Sequence, residues 1–160
     1  MTQTRSAIAI RPAAAADLDA LIAVWAASAR AAHPFLPGEG RGARRQMVRD
    51  HFLPRATTLL AEADGRILGF ASVIEAELAG LFVLPEAQGQ GIGRALLTAA
   101  AQGRASLTLT VFVRSARARA FYARAGFVEI ARGLDGETSE PVIRMRRDST
   151  PAGGSGRAMK

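Results

Sequence analysis

The sequence predicts an α/β (α+β) fold, and three local patterns carry that prediction. A short apolar run, Leu81-Phe82-Val83-Leu84, feeds a glycine-rich turn, Gln88-Gly89-Gln90-Gly91-Ile92-Gly93-Arg94, which opens an alanine- and leucine-rich helical run. A second apolar run, Leu107 to Val113, leads into Ser115-Ala-Arg-Ala118-Arg-Ala-Phe121-Tyr122-Ala-Arg-Ala125-Gly126-Phe127, where Ala118, Phe121, Tyr122 and Ala125 recur at helical spacing. Thr57–Ala63 and Ile67–Glu75 flank Asp64-Gly65, a dipeptide suited to a tight hairpin turn.

The other elements follow in order. Ala7–Arg11 reads as a strand that ends at Pro12. Leu18, Leu21, Ile22, Val24 and Trp25 recur at helical spacing, so the first helix spans about 15–31. His33-Pro-Phe-Leu-Pro37 is a loop broken by two prolines. Gly42–His51 reads as a second helix with arginines on one face, and Glu77–Leu84 as the fourth strand. After the glycine turn come a helix to Ala105, the strand 107–113, and the helix 115–125, with Gly126 suited to a left-handed C-cap. Phe127–Leu134 and Val142–Arg146 close as a hairpin around Asp135-Gly136. One domain is expected over 1–147, and 148–160, rich in glycine with a proline, reads as a flexible tail.

Composition narrows the function. A chain of 160 residues buries a sizeable core without staples. It has no cysteine, which excludes disulfides, thiolate metal sites and an acyl-cysteine intermediate. Two histidines are too few for a convincing metal site, so no metal is expected. Charges at Asp17, Asp19 and Arg30 break the most apolar segment, which argues against a membrane span or a signal peptide and makes the cytoplasm the default location. The net charge of +7 lies almost wholly in the domain, because the tail contributes only Arg157, Lys160 and Asp148. Arg114, Arg117, Arg119 and Arg124 gather around the second motif, where they suit a polyanionic ligand. No basic stretch carries interleaved aromatics, so a nucleic-acid partner is not expected.

The glycine turn is built for an anion. Alternate glycines keep side chains away, so backbone N–H groups and a helix N-terminus can close on a phosphate or pyrophosphate. A dinucleotide fingerprint requires a different glycine spacing and an acid about 20 residues on. A triphosphate loop requires Gly-Lys-Ser/Thr, and the only lysine is Lys160. What remains is Gln88-x-x-Gly91-x-Gly93.

With its flanking strand and helix, this turn resembles the pyrophosphate loop of the GNAT superfamily of N-acetyltransferases, which use acetyl-CoA (coenzyme A). The second block resembles the family pattern Asn-x-x-Ala-x-x-Phe-Tyr-x-x-x-Gly-Phe, with Ser115 where Asn is usual. The two blocks occur in the family's order, and the likeness covers about residues 6 to 147. It implies a central, mixed, mostly antiparallel sheet of about seven strands flanked by four helices, with the fourth and fifth strands splayed. The element order β-α-α-β-β-β-α-β-α-β-β agrees. The resemblance also implies cofactor contacts from Leu81, Phe82 and Val83 on the fourth strand, and from Gln88, Gly89, Gln90, Gly91, Ile92, Gly93 and Arg94 in the loop. In the second block it implies contacts from Ser115, Ala118, Phe121 and Arg124, with Tyr122 pointing at the thioester.

On the acceptor side it implies Trp25, Ser28, His33, Phe35 and Leu36, with the Arg41–Arg49 region and the stretch 137–141. That pattern looks like small bacterial acetyltransferases of the YjaB type. The implied reaction is direct attack by a primary amine of a small molecule, peptide or protein on acetyl-CoA. Glu77 or His33 would take the amine proton, Tyr122 would protonate the leaving thiolate, and Glu75 would stand in for Glu77 if the chain is extended between them. A non-catalytic acyl-CoA-binding module and, with less support, a basic nucleic-acid-binding domain are the alternatives. A monomer or homodimer is expected.

Overall fold

The computed structural model describes residues 7–149. The expected tail beyond 149 lies outside the described residues. The described residues group into two compact units that divide between Ala100 and Ala101.

In the first unit, strands β1 (Ala9–Pro12), β2 (Thr57–Ala63), β3 (Arg66–Ile74) and β4 (Glu77–Val83) pair in sequence, each antiparallel to the next. The β2–β3 turn uses Asp64 and Gly65 at φ of 53° and 75°, the left-handed pair that a two-residue hairpin demands. Helix α1 (Leu18–Ala32) follows a short 3-10 turn and packs across β3 and β4. Its buried face is Leu21, Ile22, Val24, Trp25, Ala26, Ser28 and Ala29, and the strand residues Leu60 and Phe70 are both 0% exposed. Thr58 and Ser72 stand opposite each other in the β2–β3 ladder and bond through their hydroxyls at 2.8 Å, so the core's buried polar pair satisfies itself.

The second helix departs from expectation. It runs as α2 (Gly42–Met47), opens into a π-helical turn over Val48–Phe52, and closes as α3 (Leu53–Arg55). Pro54 has no N–H to continue the helical ladder, and the register changes just ahead of it. Helix α4 (Ile92–Ala101) follows the glycine turn.

In the second unit, β5 (Ser106–Phe112) pairs with β7 (Pro141–Asp148), and β7 with β6 (Val128–Leu134), all antiparallel. Helix α5 (Ala116–Arg124) connects β5 to β6. Leu107, Leu109, Val111, Ile143 and Met145 share one buried face of this ladder. Asp135 organises the β6–β7 loop, its carboxylate accepting from the Thr138 N–H and hydroxyl at 2.9 and 2.8 Å. β7 runs one residue into the expected tail. Asp148 pairs with Ser106, and the Ser149 N–H donates to the Ala105 carbonyl at 2.9 Å. The ordered domain therefore reaches at least Ser149, because the β5 edge offers ladder partners that far.

Candidate active site

The glycine loop has the backbone its sequence requires. Gly89 and Gly91 sit at φ of 83° and 82°, and a Cβ at either would meet nothing within 4 Å. The space beside both is open, as backbone approach to an anion requires. The Ala95 N–H closes onto Gly91 O at 3.0 Å, so the first N–H groups of α4 have no carbonyl within the helix to bond. The Gln88 side-chain amide donates to the Val83 carbonyl at 3.1 Å, bracing the loop against the end of β4. Leu81, Phe82 and Val83 are part-buried on β4. Leu81, Phe82 and Val83 pair antiparallel with β3, so at least one of the three turns its N–H away from that strand.

In the second unit, α5 presents the other motif. The Ser115 carbonyl accepts the Arg119 N–H at 3.0 Å, but its side chain makes no capping bond. Ser115 is 9% exposed, and its Oγ is buried without a partner among the described residues. An orphaned buried hydroxyl at a helix head suits a polar ligand group, so this position fits the arm of an acyl-CoA. The Tyr122 ring stands edge-on to Phe121 and Phe127, with centroids 5.3 and 5.6 Å away. Burial pushes its phenol above the ordinary tyrosine range, so it stays protonated at neutral pH. The C-cap expectation holds: Gly126 has φ of 98° and the Phe127 N–H returns to Tyr122 O at 3.0 Å.

The arginines divide into two groups. Arg119 Nε donates to the Val113 carbonyl at 2.8 Å, and Arg114 Nε lies 3.3 Å from Glu140 Oε1 in an ion pair without hydrogen-bond geometry. Arg124 and Arg117 are exposed on α5, and Arg94 is exposed on α4. Ala118 and Phe121 are part-buried.

On the acceptor side the structure corrects several expectations. Trp25 and Ser28 are each 3% exposed, and Ser28 Oγ donates to Val24 O of its own helix at 2.7 Å. Leu36 is 6% exposed. All three are buried: Trp25 and Ser28 lie on the stripe with which α1 covers β3 and β4, and Leu36 lies in the loop that follows the helix. Glu75 cannot stand in for Glu77. It occupies the β3–β4 turn at φ of 56°, so the two are not alternate residues of one extended chain. Glu77 opens β4, part-buried. The ladder shifts register between Ser72 and Val73, leaving Ala79 as an extra residue on β4.

His33 does gather a cluster. It ends α1, its N–H bonded to Ala29 O, and its ring lies 5.9 Å from that of Phe35. His33 Nδ1 lies 2.8 Å from Glu39 Oε2, while Arg44 Nε donates to Glu39 Oε1. The Glu39 side chain is only 3% exposed. Burial works to raise its pKa, but the bonds and charges of His33 and Arg44 outweigh that, and Glu39 stays below the ordinary glutamate value. Sequence reading missed Glu39, since a charge between glycines reads as a solvated loop. The signal available was the run Gly38-Glu39-Gly40 closing on a histidine six residues back. Among the described residues, no three His, Asp or Glu side chains gather as a metal site would need, and no helix is long and apolar enough to cross a membrane.

The first unit carries an open glycine turn at the head of a helix, and the second carries Tyr122 on α5 with the buried Ser115 hydroxyl at that helix's head, the two features by which the sequence resembles an acyltransferase. The chain belongs to the GNAT family: a model of the acetyltransferase (GNAT) domain matches residues 54–129, and full-length relatives extend the match. The peptidyl-lysine N-acetyltransferase YiaC of Escherichia coli K12 is 35% identical over 134 residues, 83% of this chain and 92% of that protein. The peptidyl-lysine N-acetyltransferase YjaB of the same organism is 32% identical over 136 residues, 84% and 91% respectively. The solved apo form of Escherichia coli YjaB superposes with a TM-score of 0.77 at 29% identity, over 88% of this chain and 97% of that one. The PaiA N-acetyltransferase of Thermoplasma acidophilum, solved with coenzyme A, has the same fold at a TM-score of 0.69 and 23% identity, over 89% and 99%. The chain is thus an N-acetyltransferase, and its function is acetyl transfer to an amine.

Proposed function

We propose that this enzyme moves the acetyl group of acetyl-CoA to the side-chain amine of lysine in proteins or peptides. Two relatives named for peptidyl-lysine support the acceptor. The observation that carries the co-substrate is the open left-handed pair Gly89 and Gly91 at the head of α4. Acetyl-CoA supplies an activated thioester. The loop amides hold its diphosphate, with Arg94, Arg117 and Arg124 adding charge attraction, while β4 backbone N–H groups steady the thioester carbonyl. His33 takes a proton from the acceptor amine as nitrogen bonds to the acyl carbon. The carbon–sulfur bond breaks, and Tyr122 donates a proton to the departing sulfur. An amine that must shed its proton near neutral pH gains from a nearby base. Glu77 is the competing base, and separate Glu77→Gln and His33→Ala variants distinguish the two by which one loses turnover.

The test is a panel of amines with acetyl-CoA, read by thiol release and by product mass: lysine peptides blocked at the N-terminus, free polyamines and aminoglycosides. Turnover on the blocked lysine peptides above the others supports the reading. Turnover confined to small amines overturns it.

A further inference from the structure

We infer that Glu39 is a positioning residue for His33, its buried carboxylate holding the imidazole by Nδ1–H so that the Nε2 lone pair serves as the base. The inference rests on the reading of His33 as the base. An ionised carboxylate only accepts, so the 2.8 Å contact from Glu39 Oε2 requires the hydrogen on Nδ1. That leaves Nε2 as the acceptor nitrogen of the neutral ring. A free histidine side chain prefers the opposite tautomer, so the preference must be imposed by a partner.

The chain is bent to supply that partner. Gly38, Gly40 and Gly42 all take left-handed backbone, with φ of 73°, 90° and 64°. Successive turn bonds, from Leu36 N–H to His33 O at 3.0 Å and from Arg41 N–H to Gly38 O at 3.2 Å, fold the segment back on the end of α1. A Cβ at Gly40 would lie 2.7 Å from Arg30 Cγ and 2.9 Å from Ala26 O, so the backbone there touches the helix directly. Glu39 is thereby delivered beneath His33, and Arg44 takes its second oxygen. Stability alone does not account for this device. A buried ion pair is about neutral against apolar packing of the same volume. What it supplies is a fixed ring orientation and a single tautomer.

The test is nitrogen-15 NMR of the imidazole in the full chain, at about pH 9, above the ordinary histidine range. The chain has two histidines, and His51→Gln assigns the signals. Wild-type His33 should show the Nδ1–H tautomer, Glu39→Gln should retain it through its amide oxygen, and Glu39→Leu should switch to Nε2–H. On a blocked lysine peptide, Glu39→Leu should lower kcat about ten- to a hundredfold, up to the lower end of what a general base supplies, because the base is misoriented and not removed. KM for acetyl-CoA should hold, Glu39→Gln should recover most of the loss, and Glu39→Leu should add nothing in a His33→Ala background. Nε2–H in the wild-type protein overturns the inference even if Glu39→Leu does not fold. So does a folded Glu39→Leu protein with unchanged tautomer and kcat. An unchanged kcat in His33→Ala instead overturns the reading of His33 as the base, and this inference with it, whereas the tautomer result stands apart from that reading.

Discussion

The Gln88 side-chain amide donates to the Val83 carbonyl at 3.1 Å, tying the glycine loop to the strand that precedes it. A loop fixed in its binding shape loses less freedom when a ligand arrives. Gln88→Ala removes that one bond, worth about 1 kcal/mol, so acetyl-CoA affinity should fall roughly fivefold with little change in kcat. Calorimetric titration reads the first quantity and steady-state kinetics the second.

Gly91 adopts φ of 82°, where any Cβ is strained. Gly91→Val should therefore act twice, lowering stability by roughly 1–2 kcal/mol and blocking the approach of a diphosphate. Denaturant unfolding measures the first effect. An unchanged acetyl-CoA affinity in the folded variant would remove the loop from the binding site.

Tyr122→Phe keeps the ring between Phe121 and Phe127 and deletes only the hydroxyl. Folding and acetyl-CoA binding should hold. The turnover number should fall by about 10²–10⁴, the usual worth of a general acid. Weakened binding with normal turnover would instead make Tyr122 a wall of the cofactor site.

The end of β7 gives a graded truncation. A chain stopped after Ser149 keeps the Asp148–Ser106 ladder pair and the Ser149 bond to Ala105. A chain stopped after Arg147 loses both. Each lost hydrogen bond is worth about 1 kcal/mol, and each kcal/mol shifts Tm by about 2–4 °C in a chain of this size. Thermal melts of the two should differ accordingly, with the shorter chain lower.

Asp17 joins β1 to the start of α1 through Arg11, whose guanidinium bonds it at 2.9 and 3.0 Å. The Arg11 bond, helped by the Ala14 N–H, lowers the Asp17 pKa to about 2. A depressed carboxylate stabilises the fold above its unfolded pKa, near 3.9, and that contribution fades as pH falls toward about 2. Asp17→Asn should flatten the acid limb of a stability–pH curve within that window and leave its shape unchanged near neutral pH. An acid limb as steep as wild type would show that the Arg11 pair carries none of it.

Features that depend on near neighbours in sequence were legible. Asp64-Gly65 specifies its own hairpin, Gly126 its own C-cap, and the glycine loop with its strand and helix can be read residue by residue. Features that depend on distant packing were not. Trp25 and Ser28 have the helical spacing of a cleft wall and of a core stripe alike, and only the strands beneath α1 decide between them. Glu75 and Glu77 have strand-like spacing, but a left-handed turn at Glu75 breaks the alternation.

The sequence by itself determined the family, the left-handed glycine turn, the tyrosine helix and the order of elements, because short-range backbone preferences and contiguous motifs encode them. Tertiary structure alone decided that Ser115 leaves its hydroxyl buried and unbonded, that Gln88 braces the loop, and that Glu39 lies against His33. Each of these is a matter of where a polar atom goes once water is excluded, and that depends on which distant groups surround it.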